Sequence, residues 1–451
     1  MRTRLPTMPG SAAADDRVRQ RRMAAAAVIG TTVEWYDFYL YASMASIVFG
    51  TVFFPSGDSK IATLQSFATF AVGFLARPLS GVIFGALGDS IGRKKVLVLT
   101  FILMGVSTAL IGLLPGYAQI GVWAPVLLVV LRIVQGIGAG AEFASASVAS
   151  YEHADTGRRG IMGSWPAVGM NLGLLLASAT TALLGAFGDD FLVSVGWRIP
   201  FIASLALVAV GIWVRSALPE TPQYAAEKGG GLDAAHGRST TRRGITFSLV
   251  EVFRRDWRGL LVVMFVCLGY SSVSYTFKTF SLAYLTEYQG VSASTSSLGV
   301  TFAGMVAIIV IPFFGRACDR WSSKWVLRIG GILSGLWAFA FLPLLATGEK
   351  WSVWIALIVG TGLVVPMMFA AQGAFFSRQF PVSTRSSGVG TARELGTAIA
   401  GGGAPMLALA LVTWSSDHST TGVTVLLVAA ALVVVVTTFG DQGRKISAEK
   451  N

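Results

Sequence analysis

The chain has 451 residues, 53% of them hydrophobic and 13% charged, about half the charged fraction of a soluble globular chain. That balance excludes a water-soluble domain, and the net charge of +12 matters through where the cations fall. The apolar residues gather in long runs, such as 120–134 and 426–436, which read as membrane spans of about 20 residues each.

In chain order, a basic tail over 1–23 precedes six expected spans over 24–54, 61–87, 96–114, 122–148, 160–186 and 197–216. The first is too long for a leader peptide and carries Glu34 and Asp37, so it reads as an uncleaved span. A polar segment, 217–257, contains Gly229, Gly230 and Gly231 and reads as a linker. Six more spans are expected over 258–288, 295–318, 325–346, 351–377, 388–414 and 422–440, followed by a tail over 441–451. Lysines and arginines alternate with this pattern. Lys60, Arg198 and Lys350 fall on one face, Arg77, Arg132, Lys278 and Arg393 inside spans, and the others on the face of the N-terminus. Both termini are therefore expected in the cytoplasm of an inner-membrane protein, and the basic charge reports topology rather than a nucleic-acid partner.

The two sets of six repeat one another. The stretch 85–94 reads GALGDSIGRK and 315–324 reads GRACDRWSSK, each at the joint between the second and third span of its set. Arg158-Arg159-Gly160 has its counterpart in Arg385-Ser386-Ser387-Gly388. The expected fold is an all-α membrane protein of twelve transmembrane helices in two pseudo-symmetric six-helix bundles, with a binding site between them at the midplane.

The stretch 88–95, GDSIGRKK, resembles the signature loop of the major facilitator superfamily. The stretches 34–41 (EWYDFYLY), 74–79 (FLARPL) and 196–201 (GWRIPF) resemble its metabolite:proton symporter branch, whose members carry shikimate, α-ketoglutarate, citrate, other carboxylic acids, or proline and betaine. The resemblance implies the major facilitator fold and proton-coupled uptake of a small organic acid by alternating access. The proton gradient would be the energy source, with no cofactor, and a monomer in the lipid bilayer the working form. An osmolyte symporter, a drug:proton exporter and a non-transporting sensor stand as alternatives. The same resemblance places Gly85, Asp89, Gly92 and Arg93 in a cytoplasmic gate.

Ionisable residues in a bilayer need a partner or a task. Glu34, Asp37 and Tyr41 are spaced i, i+3, i+7 and share a helix face. At about 1.5 Å per residue, Asp37 lies roughly 20 Å from the start of its span and Arg132 about 15 Å from the start of its own, at a common depth. A direct Asp37–Arg132 pair is expected, formed when the carboxylate is ionised and parted when it is protonated; the alternative is that Arg132 is a structural tie. The segment 132–140, RIVQGIGAG, resembles the superfamily's proton-coupling motif, and its glycines also offer a smooth packing face. Glu34 and Glu142 are further candidate carboxylates for proton coupling. Lys278, near Tyr270, Tyr275 and Phe277, is expected to hold an organic anion together with Arg132, unless it snorkels to the interface. Trp35, Tyr36, Tyr41, Tyr275 and Gln372 are candidates to line the same cavity. Arg77 and the adjacent Arg393 and Glu394 read as internal ties, the last two serving the gate. Asp89 is expected to face the positive N-terminal end of the eleventh helix, with Asp319 as its counterpart in the second set. Cys267 and Cys318 read as packing residues, and the scattered His153, His236 and His418 suggest no metal site. No phosphate-binding glycine loop and no catalytic constellation occurs, so neither an ATP-driven pump nor an enzyme is expected.

Overall fold

The computed structural model describes residues 9–216 and 252–441, except 56, 92, 141, 153, 156, 383 and 416. Among these, helices occupy every expected span: α1, Pro9–Ile47 with its continuation Phe49–Phe53; α2, Ser59–Ile91; α3, Arg93–Leu113; α4, Trp123–Glu152; α5, Arg159–Gly185; α6, Arg198–Ser216. The second set follows as α7, Trp257–Glu287; α8, Ala293–Trp321; α9, Ser323–Ala346; α10, Lys350–Ser377; α11, Arg385–Thr413; α12, Thr421–Gly440. Eight are long and apolar enough to cross a membrane, and a ninth is reached if α6 joins the segment Asp189–Gly196, which meets it at 55°. Polar residues dilute the hydropathy of α1 and α2, Glu34, Asp37 and Arg77 among them.

The first helix corrects one boundary. It starts at Pro9, inside the expected tail, because the run of Ala, Arg and Gln ahead of the span is made of strong helix formers. Most of the expected linker and the C-terminal tail lie outside the described residues.

Packing repeats between the sets. Helices α1 and α5, α2 and α4, and α3 and α6 pair in the first; α7 and α11, α8 and α10, and α9 and α12 pair equivalently in the second. The halves meet through α2 against α11 and α5 against α8, again equivalent pairs. Outward faces carry apolar side chains such as Leu75, Leu113, Ile309 and Phe313. Exposed Trp123, Trp321, Trp351 and Trp414 sit at helix ends, where tryptophan anchors a helix at the membrane surface.

Two local features set up the centre. Helix α4 lies so close to α2 that a Cβ on Gly136 would run into the backbone of Gly73, which fulfils the packing role expected of those glycines. Helices α7 and α10 each contain a π-helical segment, Thr276–Phe280 and Ile358–Val364. Such segments insert a residue into the turn and re-aim the side chains around it, and the first of them carries Lys278.

Candidate functional site

Within the first half, Asp37 and Arg132 both point inward, 1% and 0% exposed. The expected direct ion pair is absent. Thr108 of α3 donates to Asp37 Oδ2 at 3.0 Å, Gln135 Nε2 donates to Thr108 Oγ1 at 2.7 Å, and Arg132 Nη1 donates to Gln135 Oε1. Carboxylate and guanidinium are therefore joined through two neutral side chains. The guanidinium carbon lies over Tyr41, 3.7 Å from the ring centroid, and the Tyr41 hydroxyl bonds Thr69 at 2.6 Å. Space for it exists because position 73 is glycine: a Cβ there would stand 2.6 Å from Arg132 Nη2. Tyr41, expected in the cavity, thus packs inside the first half against Phe49, Phe70 and Phe201.

A second cluster crosses between the halves. Arg77 of α2 bonds Glu34 of α1 at 2.9 Å and Glu394 of α11 at 2.8 Å, and Glu394 is shared with Arg393. All four are buried. Arg77 also lies over Phe38 and Trp35, and Arg393 over Phe143. Buried charges remain tolerable when paired in this way. Arg393 and Glu394, expected at the gate, belong to this tie inside the molecule.

Lys278 is 2% exposed, so it does not snorkel. Its ammonium donates to the Tyr39 hydroxyl at 3.2 Å, at the edge of that ring, and lies 4.9 Å from the centroid of Phe369. It does not share a site with Arg132 as expected. Arg132 packs on Tyr41 and Lys278 on Tyr39, and residues two apart on a helix face away from each other. Trp35 Nε1, Tyr275 Oη and Gln372 Nε2 are buried and have no hydrogen-bond partner among the described residues. Tyr36 is buried on α1, where its backbone approaches Gly173 of α5.

Both ends of the interface between the halves are tied. At the end carrying the α8–α9 turn, Asp319 accepts from the backbone N–H groups of Gly160 and Ile161, at the start of α5, the latter at 3.0 Å. Arg385 pairs with Glu152 at 2.8 Å. A carboxylate on free N–H groups at a helix start is a favourable contact, and it is the counterpart of the one expected of Asp89. The side chains of Gly85, Asp89, Gly92, Arg93 and Glu142 lie outside the described residues. At the opposite end, Glu287 of α7 accepts from Ser59 at 2.8 Å and Thr63 at 3.0 Å, both on α2, while Lys60 reaches His418 at 3.1 Å. Contacts among the described residues thus bridge the halves at both ends. Sequence reasoning missed Tyr39, Gly73, Thr108, Gln135 and Glu287; of these only Gln135, one helical turn from Arg132, had a spacing signal.

Comparison with known proteins decides what kind of molecule has this architecture. The family described as Sugar (and other) transporter matches residues 23–249, and that described as Major Facilitator Superfamily matches residues 271–451. The shikimate transporter of Escherichia coli (strain K12) is 35% identical over 399 residues, covering 88% of this chain and 89% of that protein.

The chain belongs to the major facilitator superfamily.

It is one of the superfamily's metabolite permeases, a multi-pass membrane transporter rather than an enzyme. The proline/betaine transporter of Salmonella typhimurium is also similar, 31% identical, with 91% of this chain and 82% of that protein covered. A crystal structure of a D-xylose-proton symporter shares the fold, with TM-score 0.70 and 15% identity over 93% of this chain and 96% of that one. The two six-helix halves are thus the frame of a transporter.

Proposed function

We propose that this permease is a proton-coupled symporter that imports a small organic acid by alternating access. One observation carries the reading. The central layer holds four cations, Arg77, Arg132, Lys278 and Arg393, against three carboxylates, Glu34, Asp37 and Glu394, among the described residues. The layer has one excess positive charge with Asp37 ionised and two with it protonated, so a proton taken up there is offset by an organic anion that enters with it.

In this reading Asp37 takes the coupling proton. An adjacent cation favours an ionised carboxylate and a dry surrounding favours the protonated one. Opening one end wets Asp37 and exchanges its proton, while Thr108 and Gln135 pass the change to Arg132. The Glu287 and Lys60 contacts open toward the outside and the Asp319 contact toward the cytoplasm, an orientation supported by the concentration of Lys and Arg at the latter end. The protein then sits in the inner membrane as a monomer, driven by the proton gradient without a cofactor. The likeness to a proline/betaine transporter keeps a zwitterionic osmolyte as the second reading.

Uptake of labelled organic acids into proteoliposomes made alkaline inside tests the proposal. Accumulation should disappear when a protonophore collapses the gradient; accumulation that persists would refute the coupling.

A further inference from the structure

We infer that the buried bond from Arg77 to Glu394 is a gate inside the membrane, the contact that breaks when the end carrying the α8–α9 turn opens, and that Glu34 and Arg393 keep each half neutral once it is broken. The inference rests on the alternating-access part of the transport reading, and on neither the proton nor the identity of the solute.

Its position comes from the helix starts. Ala24 of α1 packs against Ala154 and Met162, so α1 enters at the end where Asp319 meets Gly160 and Ile161. Helix α11 starts there too, with Arg385 on Glu152. At about 1.5 Å per residue, Glu34 stands about 15 Å beyond Ala24 and Glu394 about 14 Å beyond Arg385. Tyr39, which accepts from Lys278, lies about 7–8 Å beyond Glu34. The tie therefore lies between the Lys278 contact and that end, deeper than the surface contacts of Asp319 and Arg385.

Arg77 Nε donates to Glu394 Oε2 at 2.8 Å and joins α2 of the first half to α11 of the second. The same guanidinium donates through Nη2 to Glu34 Oε1 at 2.9 Å, within the first half. Arg393 Nη1 donates to Glu394 Oε1, within the second. Each half thus holds one guanidinium and one carboxylate of the cluster. A buried charge stripped of its partner is strongly destabilising, whereas a buried pair is tolerated. A lone arginine facing a lone glutamate would leave an uncompensated charge in each half when the halves part. Here parting breaks one hydrogen bond between charged groups and leaves Arg77 on Glu34 and Arg393 on Glu394. Arg393 also leaves Phe143 of α4, whose ring centroid is 4.1 Å from its guanidinium carbon.

The test uses the full-length protein in proteoliposomes, with Cys267→Ala and Cys318→Ala and with spin labels at Asp155→Cys and Arg320→Cys, exposed positions of the two halves at that end. Distances between the labels and melting temperatures are both measured. Glu34→Gln/Arg77→Met and Arg393→Met/Glu394→Gln each remove the pair of one half, and both should raise the ratio of long to short distances about tenfold. Glu394→Gln alone should shift the distances the same way, which keeps the gate testable if a double variant fails to fold. Each within-half double should melt above Glu34→Gln or Glu394→Gln, which strand an arginine. Arg77→Met/Glu394→Gln strands Glu34 and Arg393 in different halves and should melt below both. Unmoved distances in these variants, beside two distance populations in the wild type, overturn the gate and leave alternating access standing. A single population in the wild type at every solute concentration removes alternating access and the gate with it. A within-half double that melts below its single variant, or stability restored by the cross-half double instead, overturns the neutral-pair account.

Discussion

The two halves share a helix-packing plan and hold buried charge in different ways. In the first, Asp37 and Arg132 are linked through hydroxyl and amide side chains that can shift together. In the second, Lys278 is held by one hydroxyl beside the Phe369 ring, with no carboxylate partner among the described residues. A relay of hydrogen bonds suits a group that gains and loses a proton, because each state can be passed to a neighbour. A solitary buried cation suits a ligand of opposite charge. In the proposed reading the contrast divides the labour: the first half handles the proton and the second the solute.

Substitutions that separate the two tasks can break this comparison. The largest effect is expected from Asp37→Asn, which should reduce pH-gradient-driven accumulation to background while exchange of labelled for unlabelled solute continues. If exchange stops as well, Asp37 serves the solute too and the division fails. Gly73→Val should come next. The added side chain drives Arg132 from its place over Tyr41, at about 1–3 kcal/mol of strain, and both the melting temperature and gradient-driven uptake should fall. A variant with unchanged stability and uptake would mean that the Arg132 position is unimportant. Thr108→Val keeps the shape but removes the hydroxyl between Asp37 and Gln135, a bond to a charged group worth about 1.5–3 kcal/mol. Accumulation should drop about tenfold with solute affinity little altered; a loss confined to affinity would contradict the relay. Smallest is Asp319→Asn at the end carrying the α8–α9 turn. It weakens two bonds to the start of α5 by about 1 kcal/mol in all and should raise the labelling rate of cysteines placed on the cytoplasmic side of the cavity.

Much of the frame is legible in the sequence, because a bilayer leaves few choices: apolar runs of span length, cations in alternate loops and the repeated stretches at 85–94 and 315–324 locate all twelve helices. The inward placement of Asp37 and Arg132 is legible for the same reason, since charge in a span has to face protein. The connection between them is not. Thr108 belongs to α3, and a neutral hydroxyl in an apolar helix leaves no spacing signal. Gly73 is equally silent, because its purpose appears only when Arg132 of another helix occupies the space beside it. Lys278 stands out as a buried cation, but its neighbours join Tyr39 of α1 to Phe369 of α10, a meeting that only the packed halves produce. The helical start at Pro9 escaped because charge density marks a tail while local helix propensity extends the span.

Proton movement that accompanies solute entry is the most direct measure of the central claim. Protein reconstituted in proteoliposomes, without an imposed gradient, is given an inward gradient of the acid that binds it most tightly, and the external pH is followed in lightly buffered medium. The account predicts alkalinisation on addition of the acid, abolished in Asp37→Asn. Uptake of the acid with no change of external pH, or with acidification, would contradict it.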